Sequence, residues 1–136
     1  MNNNLEINES TEARMMVQAS DLASALPIST EDSFPEVFAT SRMIALMELA
    51  AARAMKKTLN ADQLSVGVGV DIKHMAATPK GKEVWAVATF TGMEGKLYMF
   101  TIEAFDEAGK IGEGRHSRAI VATERLLAGA NKRFGK

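Results

Sequence analysis

The chain has 136 residues, no cysteine and a formal net charge of −1. That fits one domain of ordinary size with no disulfide framework, thiol nucleophile or cysteine zinc site. A near-neutral balance gives no field to draw nucleic acid, and the aromatic residues, 6% of the chain, are too sparse for a single-strand stacking platform.

The start, MNNNLEINES, has neither the basic nor the apolar region of a signal peptide. Residues 1–13 are polar and aperiodic and are expected to form a flexible N-terminal segment. A single domain over 14–124 and a short, mobile, basic tail over 125–136 are expected to follow. Within that domain Arg14 to Ser20 is the first predicted strand, and Asp21 to Asp32 is a loop or a short turn of helix holding Pro27. Ser33 and Glu36 have capping-box spacing and Pro35 suits a first turn, which starts a helix near Ser33. Alanine, leucine and methionine carry it to Met55, where Lys56 and Lys57 meet the negative end of its dipole. The apolar stretch from Met43 to Ala52 is too short to span a bilayer and contains Glu48. A cytoplasmic location with no membrane or nucleic-acid partner is therefore expected.

Beyond the helix the period becomes two. Leu64, Val66, Val68, Val70 and Ile72 share one parity, predicting a strand with one buried face. Turn residues Thr78 to Gly81, Glu94-Gly95 and Ala108-Gly109 separate three more strands, Glu83–Met93, Lys96–Asp106 and Lys110–Ala122. Consecutive strands with short connections make an antiparallel sheet, and a helix apolar nearly all round must be wrapped by it. The expected class is therefore α+β, a hot-dog arrangement. One copy leaves a sheet edge open, so a homodimer is expected, with a dimer of dimers as the larger alternative.

Glu48 has only Ile44, Ala45, Ala51 and Ala52 as helical neighbours, so no local cation pairs with it. Such a carboxylate is costly unless another element satisfies it, which makes it a candidate acid or base. His74 extends the parity of Leu64 to Ile72 toward the face that the helix covers. Thr40 lies eight positions before Glu48, about 12 Å along a straight helix, and reads first as a cap or back-bonded threonine. Gly114, His116 and Arg118 share one face of the last strand, for which a solvated face is favoured over an anion site. Gly67 and Gly69 are either small residues in a curved strand or places where a ligand meets the backbone.

FPEVFAT at 34–40, LMELA at 46–50, HMAATP at 74–79 and GEGRHSRAIV at 112–121 together resemble the fluoroacetyl-CoA thioesterase family. The resemblance implies a hot-dog dimer acting on an acyl-CoA, with no cofactor and no metal, and active sites near the subunit interface. It implies that Thr40, Glu48 and His74 are catalytic, that Phe34 lines the acyl pocket, and that Gly67 and Arg118 lie near the bound acyl group. The segment LPISTEDS at 26–33 looks shorter and less aromatic than that family's lid, which points to an acyl group other than fluoroacetyl. The alternatives are a hot-dog hydratase or dehydratase and a non-catalytic acyl-CoA binding module.

Overall fold

The computed structural model describes residues 5–135. Five strands make one antiparallel sheet in the order β1-β3-β4-β5-β2: β1 is Ser10–Met16, β2 Gln63–His74, β3 Glu83–Glu94, β4 Leu97–Asp106 and β5 Gly109–Ala122. Helix α1, Thr40–Met55, lies across one face. The hot-dog arrangement expected from the strand and helix order is the one the chain adopts. No helix among the described residues is long and apolar enough to cross a membrane.

Packing follows from alternation on the strands and the small residues of the helix. Met43, Leu46, Met47, Ala50, Ala51, Ala54 and Met55 form the buried stripe of α1. They meet Val84, Ala86, Ala88 and Phe90 of β3 and Phe100, Ile102 and Ala104 of β4. Alanines on both sides let helix and sheet approach closely, and the methionines fill the irregular gaps. The opposite face of the sheet is a solvated one. There Arg14 lies 4.6 Å over the Trp85 ring, and Lys110 bridges Glu103 at 2.7 Å and Glu113 at 2.9 Å.

Four sequence expectations are corrected. The first strand begins at Ser10, inside the stretch expected to fray, and ends at Met16; residues 1–4 lie outside the described residues. Helix α1 begins at Thr40 with Ala39 as N-cap, not near Ser33. Pro35 turns its predecessor away from helical geometry. Phe38 and Ala39 are then held extended, donating to the carbonyls of Thr78 at 2.8 Å and Asp21 at 2.9 Å. The helix is also not apolar all round, since Ser41, Arg42, Ala45, Leu49 and Arg53 are exposed. Residues expected to form a mobile tail instead make helix α2, Thr123–Lys132, none of whose side chains is buried.

A fifth correction concerns β2. Its pairing with β5 shifts between Gly67 and Gly69, a bulge that leaves Val68 unpaired. A bulge reverses side-chain parity. Ser65 and Gly67 face the helix before it; Val70, opposite His116, Ile72 and His74 do so after it. Leu64, Val68 and Val70 are exposed rather than covered, because β2 is a twelve-residue edge strand with no neighbour on its outer side.

Candidate active site

The structure places the candidate residues in two clusters. In the first, Thr40 in the opening turn of α1 meets His74 at the end of β2, with Oγ1 and Nδ1 2.7 Å apart. The loop after His74 is pinned by Thr78, fully buried, whose hydroxyl donates to Asp106 at 2.7 Å while its carbonyl accepts from Phe38. That pinning carries the start of α1 to His74. A pocket of about 380 Å³ opens here, lined by Phe34, Val37, Phe38, Thr40, His74 and Met75 among others. Its wall is mainly apolar. Phe34 stands at it half exposed. The Nε2 atom of His74 is buried and has no hydrogen-bond partner among the described residues. An orphaned polar atom in a pocket wall marks a place where another group completes the bonding.

The second cluster surrounds Glu48. Its Oε2 lies 3.4 Å from Arg118 Nη1 and 3.9 Å from His116 Nε2. The cation that the helix does not supply comes from β5, and Glu48 keeps 40% of its side chain exposed. Arg118 also donates from Nε to Ser65 Oγ and from Nη2 to the Ser65 carbonyl, each at 2.9 Å. Gly67 sits directly opposite Arg118 in the sheet. A methyl there would run into Glu48 Oε2 and stand 3.2 Å from His116 Cε1. Gly67 is thus a glycine because the carboxylate occupies the place of a side chain.

These contacts overturn the solvated reading of the β5 face, for His116 and Arg118 are 1% and 6% exposed. Sequence reasoning put both on one face but gave His116 no role. The missed signal was Gly67 on the neighbouring strand, which leaves room for a long side chain to fold over the sheet. Among the described residues Glu48 bonds to neither Thr40 nor His74. The eight-residue separation along α1 is about 12 Å of helix rise between Thr40 and Glu48 within one protomer.

Burial holds the pKa of both histidines below the ordinary 6.5. For His74 a backbone contact at Ala76 offsets part of the effect. For His116 the Gly69 carbonyl pulls the other way, Arg118 pushes further down, and Glu48 pulls up. Burial likewise lowers Arg118, opposed by Glu48. As pH falls the unfolded chain takes up protons on these imidazoles first. Their stabilisation is therefore full above about 6.5 and is lost as pH drops from there through the lowered folded values. Melting temperature is expected to fall as pH drops below about 6.5, and to fall less in His116→Gln, which cannot titrate. The carboxylates held low, Glu9, Asp32 and Glu113, start from 4.5, 3.8 and 4.5, so they act below this window. A flat profile in thermal melts would contradict the assignment.

Among the described residues no three His, Asp or Glu side chains are grouped to hold a metal ion. The model of the fluoroacetyl-CoA-specific thioesterase family matches residues 14–124. A fluoroacetyl-CoA thioesterase from Streptantibioticus cattleyicolor is 40% identical over 95 residues, covering 70% of this chain and 68% of that protein. A crystal structure of a point mutant of the fluoroacetyl-CoA-specific thioesterase FlK superposes with a TM-score of 0.91 at 31% identity, covering 97% of this chain and 99% of that one. The same FlK mutant, in complex with fluoroacetate and CoA, gives 0.85 at 33% identity over 90% of this chain and 99% of that one.

Proposed function

The chain belongs to the fluoroacetyl-CoA-specific thioesterase family, and we propose that it hydrolyses the thioester of a small acyl-CoA at a site built from two protomers. The reaction is acyl-CoA plus water to free acid and CoA. What carries the reading is the split between the clusters: Thr40 and His74 line a pocket that lacks a base, and Glu48 stands apart, partly exposed, with Arg118 beside it. A homodimer that sets Glu48 of the partner subunit against the pocket makes one complete site from two incomplete ones.

In that site Glu48 is the general base. It takes a proton from water as the oxygen adds to the thioester carbonyl, and returns it to the thiolate when the C–S bond breaks. With Thr40 donating to Nδ1, His74 carries its proton on Nε2, and this neutral imidazole donates to the developing oxyanion. The lowered pKa of His74 keeps it neutral for that task. Single-turnover hydrolysis in heavy-oxygen water is expected to label the released acid and not Glu48; label in Glu48 would show an acyl-enzyme instead.

The pocket volume and its Phe34 and Phe38 walls favour a short acyl group. Thiol release across a panel of acyl-CoAs tests both reaction and substrate. A hydratase or dehydratase would release no thiol, and a binding module would be stabilised by ligand without turnover. Gly67→Ala probes the Glu48 cluster. The end of a glutamate side chain moves more easily than a sheet, so the added methyl displaces the carboxylate. We expect kcat to fall about ten- to a hundredfold with little change in melting temperature.

A further inference from the structure

We infer that His116 is a positioning residue, a neutral imidazole protonated on Nδ1 that fixes Arg118 and, through it, the Glu48 carboxylate. The inference deepens the reading in which Glu48 is the reacting base and rests on it.

The bonding leaves one arrangement of protons. His116 Nδ1 lies 2.8 Å from the Gly69 carbonyl oxygen. A carbonyl only accepts, so Nδ1 carries the hydrogen. His116 Nε2 lies 3.0 Å from Arg118 Nη1. A guanidinium only donates, so Nε2 offers its lone pair. A second proton on the ring would set one N–H against another and place two positive charges in contact. Of the charged groups beside the ring, Arg118 on the same strand opposes a second proton, whereas Glu48 from α1, 3.9 Å from Nε2, favours one; Tyr98 of β4 stands opposite Arg118 in the sheet. Ser65 and Gly69, from β2, carry no titratable group.

Distances decide which contact places the guanidinium. Nε and Nη2 are held by Ser65 at 2.9 Å each, and Nη1 by His116 at 3.0 Å, whereas Glu48 is 3.4 Å away. The guanidinium is therefore oriented by Ser65 and His116, and Glu48 binds to a cation already in place. The bulge at Gly67–Gly69 contributes too, because it aims the Gly69 carbonyl that sets the tautomer. Without the Nε2 acceptor, one Nη1 hydrogen loses its buried partner and Ser65 alone orients the fork.

Two measurements test this. The chain has two histidines, so long-range proton–nitrogen correlation spectra can be assigned with one His74 variant. His116 is expected to show a protonated Nδ1 and an unprotonated Nε2 at neutral pH. An Nε2–H tautomer or an imidazolium overturns the proposal. In kinetics, His116→Leu, which offers no acceptor, is expected to lower kcat about ten- to a hundredfold with KM within about threefold. His116→Gln, whose amide oxygen can accept from Arg118, is expected to recover most of the loss. Equal losses in both variants, or full kcat in the leucine variant, would overturn it. Should the leucine variant not fold, the tautomer and a glutamine variant within about tenfold of the parent kcat carry the test. Full thiol release by Glu48→Ala would sink the functional reading itself. Loss in Glu48→Ala with none in His116→Leu would sink only the role of His116.

Discussion

Mixing two inactive variants, Glu48→Ala and His74→Ala, is expected to restore thiol release to about a quarter of the parent rate. The arithmetic follows from a two-fold dimer. Random exchange of equal amounts makes half of the dimers mixed. In each mixed dimer one site joins the intact His74 of one chain to the intact Glu48 of the other, while the second site lacks both. Each variant alone is expected to lose about 100-fold or more, the usual worth of a positioned acid or base. The recovered signal therefore stands far above background. Sites formed within one chain would give no recovery at all. Thr40→Ala mixed with Glu48→Ala should behave like the histidine pair, because Thr40 and His74 are bonded in the same cluster. Thr40→Ala mixed with His74→Ala should recover nothing, since both defects then fall in the same half of the site.

The sequence displayed the elements whose rules are local. The hairpin strands β3, β4 and β5 fall close to their expected bounds because alternation and tight turns are read over a few residues. The start of α1 was hidden because it is set from elsewhere. Asp21 and Thr78 hold Ala39 and Phe38 extended, and that outweighs the capping-box spacing at Ser33. Helix α2 was hidden for the opposite reason, since it is ten residues long and buries no side chain. The bulge in β2 left no period break, because Val68 continues the apolar alternation while it slips out of the ladder.

The site divides along the same line. Glu48 was visible because a charge among alanines is conspicuous on one helix, and His74 because it continues a strand. His74 faces the helix after all, but only because the bulge switches the inward parity from Ser65 and Gly67 to Val70, Ile72 and His74. Thr40 gained its partner through the Thr78–Asp106 pin, a contact 28 residues long in sequence. Arg118 and His116 are joined to Glu48 across 70 and 68 positions, and no pattern within β5 separates a buried cation from a solvated one.

Val68→Asp is expected to give a folded monomer that has lost nearly all thiol release. The two sheet edges differ, and β2 is the one that suits pairing in the proposed dimer. Strand β1 is seven residues long and carries exposed Glu12 and Arg14, the charged, short pattern that blunts an edge. Strand β2 is twelve residues long, and Leu64, Val68 and Val70 are 54%, 57% and 42% exposed. An apolar edge of that length is a pairing surface. In an antiparallel pairing about a two-fold axis only the residues at the axis meet their own copy; Val68 is at the middle of β2, so one substitution there brings two carboxylates together. Val68 is outside the ladder and outside the core, so the protomer itself keeps its fold. Sedimentation should show the monomer, circular dichroism an unchanged fold, and kcat a loss of at least about 100-fold, because each half-site then lacks the other. Met16→Asp on the β1 edge, at a side chain 52% exposed, should leave both assembly and rate unchanged. A monomeric Val68→Asp protein with full activity would mean that one chain holds the whole site, and that Glu48 reaches the His74 pocket by moving within its own protomer.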